Sequence, residues 1–194
     1  MKILQHRFFR FCHVATGIFL GFTFWSSGMA KLYFEHLFIG WIGPPWLIER
    51  LAEFELGLYG QFIALSQVII GFMLMTQRFR SLGAVMLLPM ILNILMVTIS
   101  QHWVGTPYVL AVLLSMNIFL LLMEFPKFLP LILEGRSFHS TAKPQTWKGH
   151  AVWLTGLTVS LLAVGLSYYA LTWSYFLVGL GVLIAAISHR ADGT

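Results

Sequence analysis

Four stretches of this chain, residues 11–30, 56–77, 81–123 and 149–189, contain no Asp, Glu, Lys or Arg. A bilayer core about 30 Å thick takes roughly 20 apolar residues as one helix. The first two stretches therefore have the length of a single span, and the last two are each long enough for a pair. The first long stretch breaks at Ser100-Gln101-His102-Trp103-Val104-Gly105-Thr106-Pro107, where polar groups, a glycine and a proline favour a tight loop. The second breaks near Leu171-Thr172-Trp173-Ser174, with a tryptophan suited to headgroup depth. The expected helices run over 11–32, 55–77, 81–100, 107–123, 151–170 and 174–189. The fold class expected is all-α: a polytopic membrane helix bundle with six transmembrane helices.

Composition agrees. Charged residues make up 10% of the chain and apolar ones 58%, whereas a water-exposed surface needs roughly a quarter of its residues charged. A soluble enzyme, a disordered tail and a secreted disulfide scaffold are excluded. The net charge of +5 does not point to nucleic acid, because the basic residues flank apolar spans. With both termini inside, the inner segments collect Lys2, Arg7, Arg10, Arg78, Arg80, Lys127, Arg136, Lys143, Lys148 and Arg190, and the outer loops keep only Lys31 and Arg50. That is a strong positive-inside bias, and Trp25, Tyr33, Trp41, Trp46, Trp103, Tyr108, Trp173 and Tyr175 supply an outer aromatic belt. A basic start, an apolar run and Ser27-Gly28-Met29-Ala30 also fit a cleaved signal peptide; a retained first helix is the expectation. The single cysteine, Cys12, permits no internal disulfide and no thiolate cage.

The two long connections differ. Residues 33–54, outside, contain Gly40-Trp41-Ile42-Gly43-Pro44-Pro45-Trp46 and then the amphipathic Leu47-Ile48-Glu49-Arg50-Leu51-Ala52-Glu53-Phe54. This segment is too apolar for water and too short to span, so residues 40–54 are expected to be ordered against the bundle, with Trp41, Trp46, Leu47, Leu51 and Phe54 finding apolar cover. Residues 124–150 mix Pro126, Pro130 and Pro144 with Lys and Arg and read as a polar connector. The expected organisation is a four-helix unit over 1–125, a cytoplasmic connector over 126–150 and a transmembrane hairpin over 151–194.

Two helix faces stand out. Glu53, Gly57, Gly60, Ala64, Gln67 and Gly71 recur at intervals of four and three, and Gly17, Gly21, Phe24, Gly28 and Lys31 draw a similar line on the first span. Small residues let backbones approach and polar ones avoid lipid, so both lines are expected to face inward, as packing or as a ligand path. The third span sets Pro89, Asn93, Met96 and Ser100 on one face, and the fourth adds Asn117; these are either bundle glue or pocket lining. Ionisable groups gather at two levels: Lys31, Glu35, His36, Glu49, Glu53, Glu55 and His102 near the outer mouth, and His13, His150 and His189 near the inner boundary. An ionisable group at membrane depth is a functional candidate, although long side chains at helix ends also snorkel. The candidate ligand-lining set is Lys31, Glu53, Glu55, Gln67, Asn93, Ser100, His102 and Asn117. Lys31 and Glu53 should meet, since the helices they end and begin run antiparallel, with Glu55 as the alternative partner. The histidines have no spacing that fixes a metal or a haem, no catalytic residue is assigned, and no nucleophile elbow or P-loop is present.

Several of these motifs resemble a family. Ser27-Gly28-Met29-Ala30-Lys31-Leu32 at the end of an aromatic first helix, the basic turn Gln77-Arg78-Phe79-Arg80, and Leu88-Pro89-Met90-Ile91-Leu92-Asn93-Ile94 in the third helix look like the DoxX-like group of small four-helix membrane proteins, over about residues 10–125. The hairpin at 151–189 lies outside that pattern. The resemblance implies a small bundle with an apolar pocket, associated with quinone-linked redox complexes, and a bacterial inner-membrane location. The expectation is an accessory subunit or a lipid- or quinone-binding protein without autonomous catalysis, its partners being membrane lipids and other membrane subunits. The alternatives are a purely structural subunit docked on a larger complex, and an enzyme that uses the outer carboxylates on a lipid.

Overall fold

The computed structural model describes residues 7–132 and 145–193, apart from the side chains of 130–132 and 193. Of the connector expected over 126–150, residues 133–144 lie outside the described residues, as do Lys2, Arg136 and Lys143 among the inner charges. The described chain is helical: α1 (Arg7–Leu32), a 3-10 turn (Phe34–His36), α2 (Leu47–Ala52), α3 (Gly57–Met75), α4 (Arg80–Ser100), α5 (Thr106–Ile132), α6 (Trp147–Ser167), α7 (Leu171–Ile187) and a closing 3-10 turn (Ala191–Gly193). Five of these, α1, α3, α4, α5 and α6, are long and apolar enough to cross a membrane, and α7 is a shorter apolar helix of 17 residues.

Three boundaries differ from expectation. α3 starts at Gly57, because Glu55 and Leu56 close α2 instead: Glu55 N–H reaches Ala52 O at 3.0 Å, Leu56 N–H reaches Leu51 O at 2.9 Å, and Glu55 takes φ +62. That is the Schellman stop, here with a glutamate where glycine usually signals it. α5 runs on through Pro126, its last turns tied to α4 by Glu124. The turn between α6 and α7 falls at Tyr168-Tyr169-Ala170, so Trp173 belongs to the first turn of α7 and is exposed.

Two compact units share the chain, dividing between Gly21 and Phe22 and between Phe72 and Met73. The first comprises Met1–Gly21 and Met73–Ala142. There α4 turns Gly83, Ala84, Leu87, Ile91, Ile94 and Thr98 inward, and Asn117 of α5 donates to Ala84 O at 3.2 Å. Asn117 is thus glue between two helices. Gly21 is where backbones meet: a Cβ there would stand 2.2 Å from Met75 N. The opposite face of α4, with Pro89, Asn93, Met96 and Ser100, is exposed.

The second unit comprises Phe22–Phe72 and Lys143–Thr194. Gly28 admits α3 so closely that a Cβ would lie 2.6 Å from Ala64 O, and Gly60, Ala64, Gln67 and Gly71 are buried, as the small-residue stripe requires. The α6–α7 hairpin is zipped by Gly156 against Gly181, a Cβ on the first meeting the carbonyl of the second at 2.6 Å. Thr146 caps α6, its hydroxyl accepting from Gly149 N–H at 3.2 Å while its own backbone N–H donates to Asp192 Oδ1 at 2.9 Å. Thr146→Ala removes the cap and one anchor of the closing turn. It is expected to lower unfolding free energy by about 1 kcal/mol, read as a fall in melting temperature in detergent.

Candidate functional site

One end of the second unit is built on the last turns of α1. Its sequence Thr23-Phe24-Trp25-Ser26-Ser27-Gly28-Met29-Ala30-Lys31 is buried throughout, and the loop after it folds back on itself. Trp41 Nε1 donates to Thr23 Oγ1 at 3.3 Å. His36 sets Nδ1 3.0 Å from Ala30 O and Nε2 3.1 Å from Glu49 Oε1. Gly43, at φ +100, comes so near that a Cβ would lie 2.9 Å from Ser27 Oγ and 3.7 Å from Lys31 Nζ; both the left-handed backbone and the close approach demand glycine there. Leu47 and Leu51 of α2 are buried, with Ile48 and Leu51 against Gly60. Residues 40–54 therefore do pack onto the helices, although Trp41, Trp46 and Phe54 stay 55, 49 and 50% exposed.

The hairpin holds this loop from the other direction. Tyr33 donates to Ser174 O at 3.4 Å, Phe34 N–H to Ser167 Oγ at 3.1 Å, Tyr168 to Leu32 O at 3.3 Å and Tyr175 to Leu37 O. Burial pushes the Tyr33 phenol above the usual tyrosine range. The rings of Trp25, Phe38, Tyr33 and Tyr175 form a continuous contact series, with centroids 5.6, 4.7 and 6.0 Å apart.

Lys31 is 5% exposed. Its ammonium donates to Ser27 Oγ at 2.6 Å and to Ser27 O at 3.0 Å, and among the described residues it forms no ion pair. The expected contact with Glu53 is not made. Glu53 lies in the turn after α2, exposed and paired with Arg50, because α3 does not reach back to it. Glu55 is exposed in the left-handed position that closes α2. His102 does the same for α4: it takes φ +54, with its N–H on Ile99 O and that of Trp103 on Thr98 O, both at 3.0 Å. Asn93 and Ser100 are exposed. Of the eight candidates, the structure buries Lys31 and Gln67 in the second unit and Asn117 in the first. A buried ammonium held only by neutral acceptors is costly to desolvate, so Lys31→Met, of similar length, is expected to keep or raise the melting temperature. A fall of several degrees would mean that Lys31 is a structural tie.

Sequence reasoning missed the most elaborate polar cluster. Glu124, 1% exposed in α5, receives Arg80 Nε–H at 2.8 Å and Ser81 Oγ–H at 2.6 Å, pairs with Lys127, and has His13 Nε2 of α1 at 3.1 Å, near enough for a charge contact though off the line of a hydrogen bond. His13, which the sequence places near the inner boundary, is buried here. The signal was available: Glu124 and Lys127 end an apolar run at the level of the Arg78-Phe79-Arg80 turn. With two permanent cations around one carboxylate, the cluster locks α1, α4 and α5 at one end of the first unit.

On α1 and α3 of the second unit two buried polar atoms have no hydrogen-bond partner among the described residues: Trp25 Nε1, a donor, and Gln67 Oε1, an acceptor. Ser160 Oγ is also unpartnered but is sealed in the α6–α7 contact, 2.4 Å from where a Gly181 Cβ would lie. No family model, no curated protein and no solved structure matches the chain.

Proposed function

We propose that this chain is a multi-pass protein of the bacterial inner membrane, of the DoxX-like kind, that holds a lipid or quinone as a non-catalytic accessory subunit of a membrane redox complex. In this reading α1, α3, α4, α5, α6 and α7 are six spans with both termini inside. The distribution of Lys and Arg supports the orientation, and 17 residues give α7 about 25 Å of length, at the short end of what crosses a bilayer. The observation that carries the ligand is the pair of buried, unpartnered groups in the second unit, the Trp25 indole N–H and the Gln67 amide oxygen. Buried polar atoms find partners almost without exception, and a polar head on an apolar tail would supply both a donor and an acceptor. Extraction of protein purified in mild detergent, with mass-spectrometric quantification of lipids and quinones, tests it. A species retained near one per chain through detergent exchange is expected; retention no better than bulk lipid would refute it.

One observation favours a docking role besides. Asn93 is exposed near the middle of α4, makes no hydrogen bond among the described residues, and shares its face with Pro89, Met96 and Ser100. An amide facing hydrocarbon is costly and is covered in most membrane proteins by another helix. Native mass spectrometry from mild detergent should then show a stoichiometric partner, and its loss in Asn93→Leu would place the contact.

A further inference from the structure

We infer that Lys31 is the seat of an anionic headgroup, so that the ligand held on the outer side is an acidic amphiphile, with a phosphodiester or carboxylate above apolar tails. The inference deepens the ligand-holding reading and rests on it. An ammonium has three N–H donors, and Ser27 takes two of them through its hydroxyl and its carbonyl. Both acceptors are neutral. Lys31 is the last basic residue of α1, so the helix dipole favours its charge, but that effect compensates only a fraction of what removing an ammonium from water costs.

The acids of the surrounding loop are engaged or turned away. Glu49 faces His36, Glu53 is paired with Arg50, and Glu35 and Glu55 are exposed. None supplies the countercharge. The cation is nevertheless approached by loop backbone at Gly43, where the absence of a Cβ, which would lie 3.7 Å from Nζ, leaves that side of the ammonium without a side chain from this position. A quinone carbonyl would accept the third N–H but bring no charge; a phosphodiester or carboxylate does both.

Depth and surroundings favour an amphiphile over a soluble anion. Lys31 lies in the last turn of a helix long and apolar enough to span, which is headgroup depth. Beside it the loop exposes Phe34, Leu37, Ile39 and Trp41, apolar groups suited to acyl chains and ill-suited to water.

The test uses the full chain in neutral detergent, titrated with dioleoylphosphatidylglycerol, dioleoylphosphatidylcholine, ubiquinone or inorganic phosphate, with bound species counted by native mass spectrometry. Wild type is expected to hold one phosphatidylglycerol about tenfold or more tighter than phosphatidylcholine, a margin of one charge-assisted contact. Lys31→Met should reduce that preference to near unity, Lys31→Arg should retain most of it, and millimolar phosphate should not displace the lipid. Wild type with equal affinity for the two lipids overturns the inference, and so does Lys31→Met with the preference intact. Displacement by phosphate would mean that the anion is soluble, which also overturns it. Tight stoichiometric ubiquinone without preference for phosphatidylglycerol would sink the anionic headgroup while leaving the ligand-holding function standing; binding of none of these would sink both.

Discussion

Glu124→Ala is expected to lower the unfolding free energy by about 3 kcal/mol, measured by reversible unfolding in mixed micelles. Breaking a buried ion pair by deleting one member costs roughly 3–5 kcal/mol, because the remaining charge is stranded. Here the stranded charges are Arg80 and Lys127, whose side chains are 22 and 44% exposed. Both can recover some hydration, which places the loss at the low end. Glu124→Gln keeps one acceptor oxygen, enough for Arg80 or Ser81 but not both, while removing the charge, and should cost less than the alanine variant. A loss in Glu124→Ala below about 1 kcal/mol would show the cluster to behave as a solvated surface pair.

Gly21→Ala should be as damaging through a different cause. The added methyl would meet backbone, Met75 N at 2.2 Å and Leu74 C at 2.7 Å, so no side-chain rotation can relieve it and α1 has to withdraw. Overpacking of this sort costs about 1–3 kcal/mol and occasionally more, and the upper part of that range is expected. Gly165 provides the control, since nothing lies within 4 Å of a Cβ there. Gly165→Ala should be neutral or stabilising by up to about 1 kcal/mol through helix propensity alone. Equal melting temperatures for the two variants would contradict the close contact at Gly21.

The helices were legible because charge-free length is a global constraint that few local signals can disguise. The inward line Gly17, Gly21, Phe24, Gly28, Lys31 is buried at every position, since small residues at helical spacing have one dominant use in lipid, the close approach of backbones. The Lys31 to Glu53 contact was not legible. It depended on where α3 begins, and that was set by a left-handed Glu55 carrying none of the glycine signal of a helix stop. His102 hid the end of α4 in the same way, so two residues picked for their ionisable side chains serve first through their backbones. The face of α4 misled for another reason. Pro89, Asn93 and Ser100 share one side, but sequence spacing gives a side and not its direction, and packing turned it outward.

The bonds from the α6–α7 hairpin to the loop after α1 join residues as far as 141 positions apart in the chain. At 5–20 residues per second a ribosome needs on the order of ten seconds to cover that distance. During that interval Tyr33, Phe34 and Leu37 wait without their clasp, and the loop is held only by α1 and α2. Assembly of this protein is therefore ordered in time: the last helices made fasten the first loop made, and an arrest before Ser167 leaves that loop without its clasp and α7 not yet made.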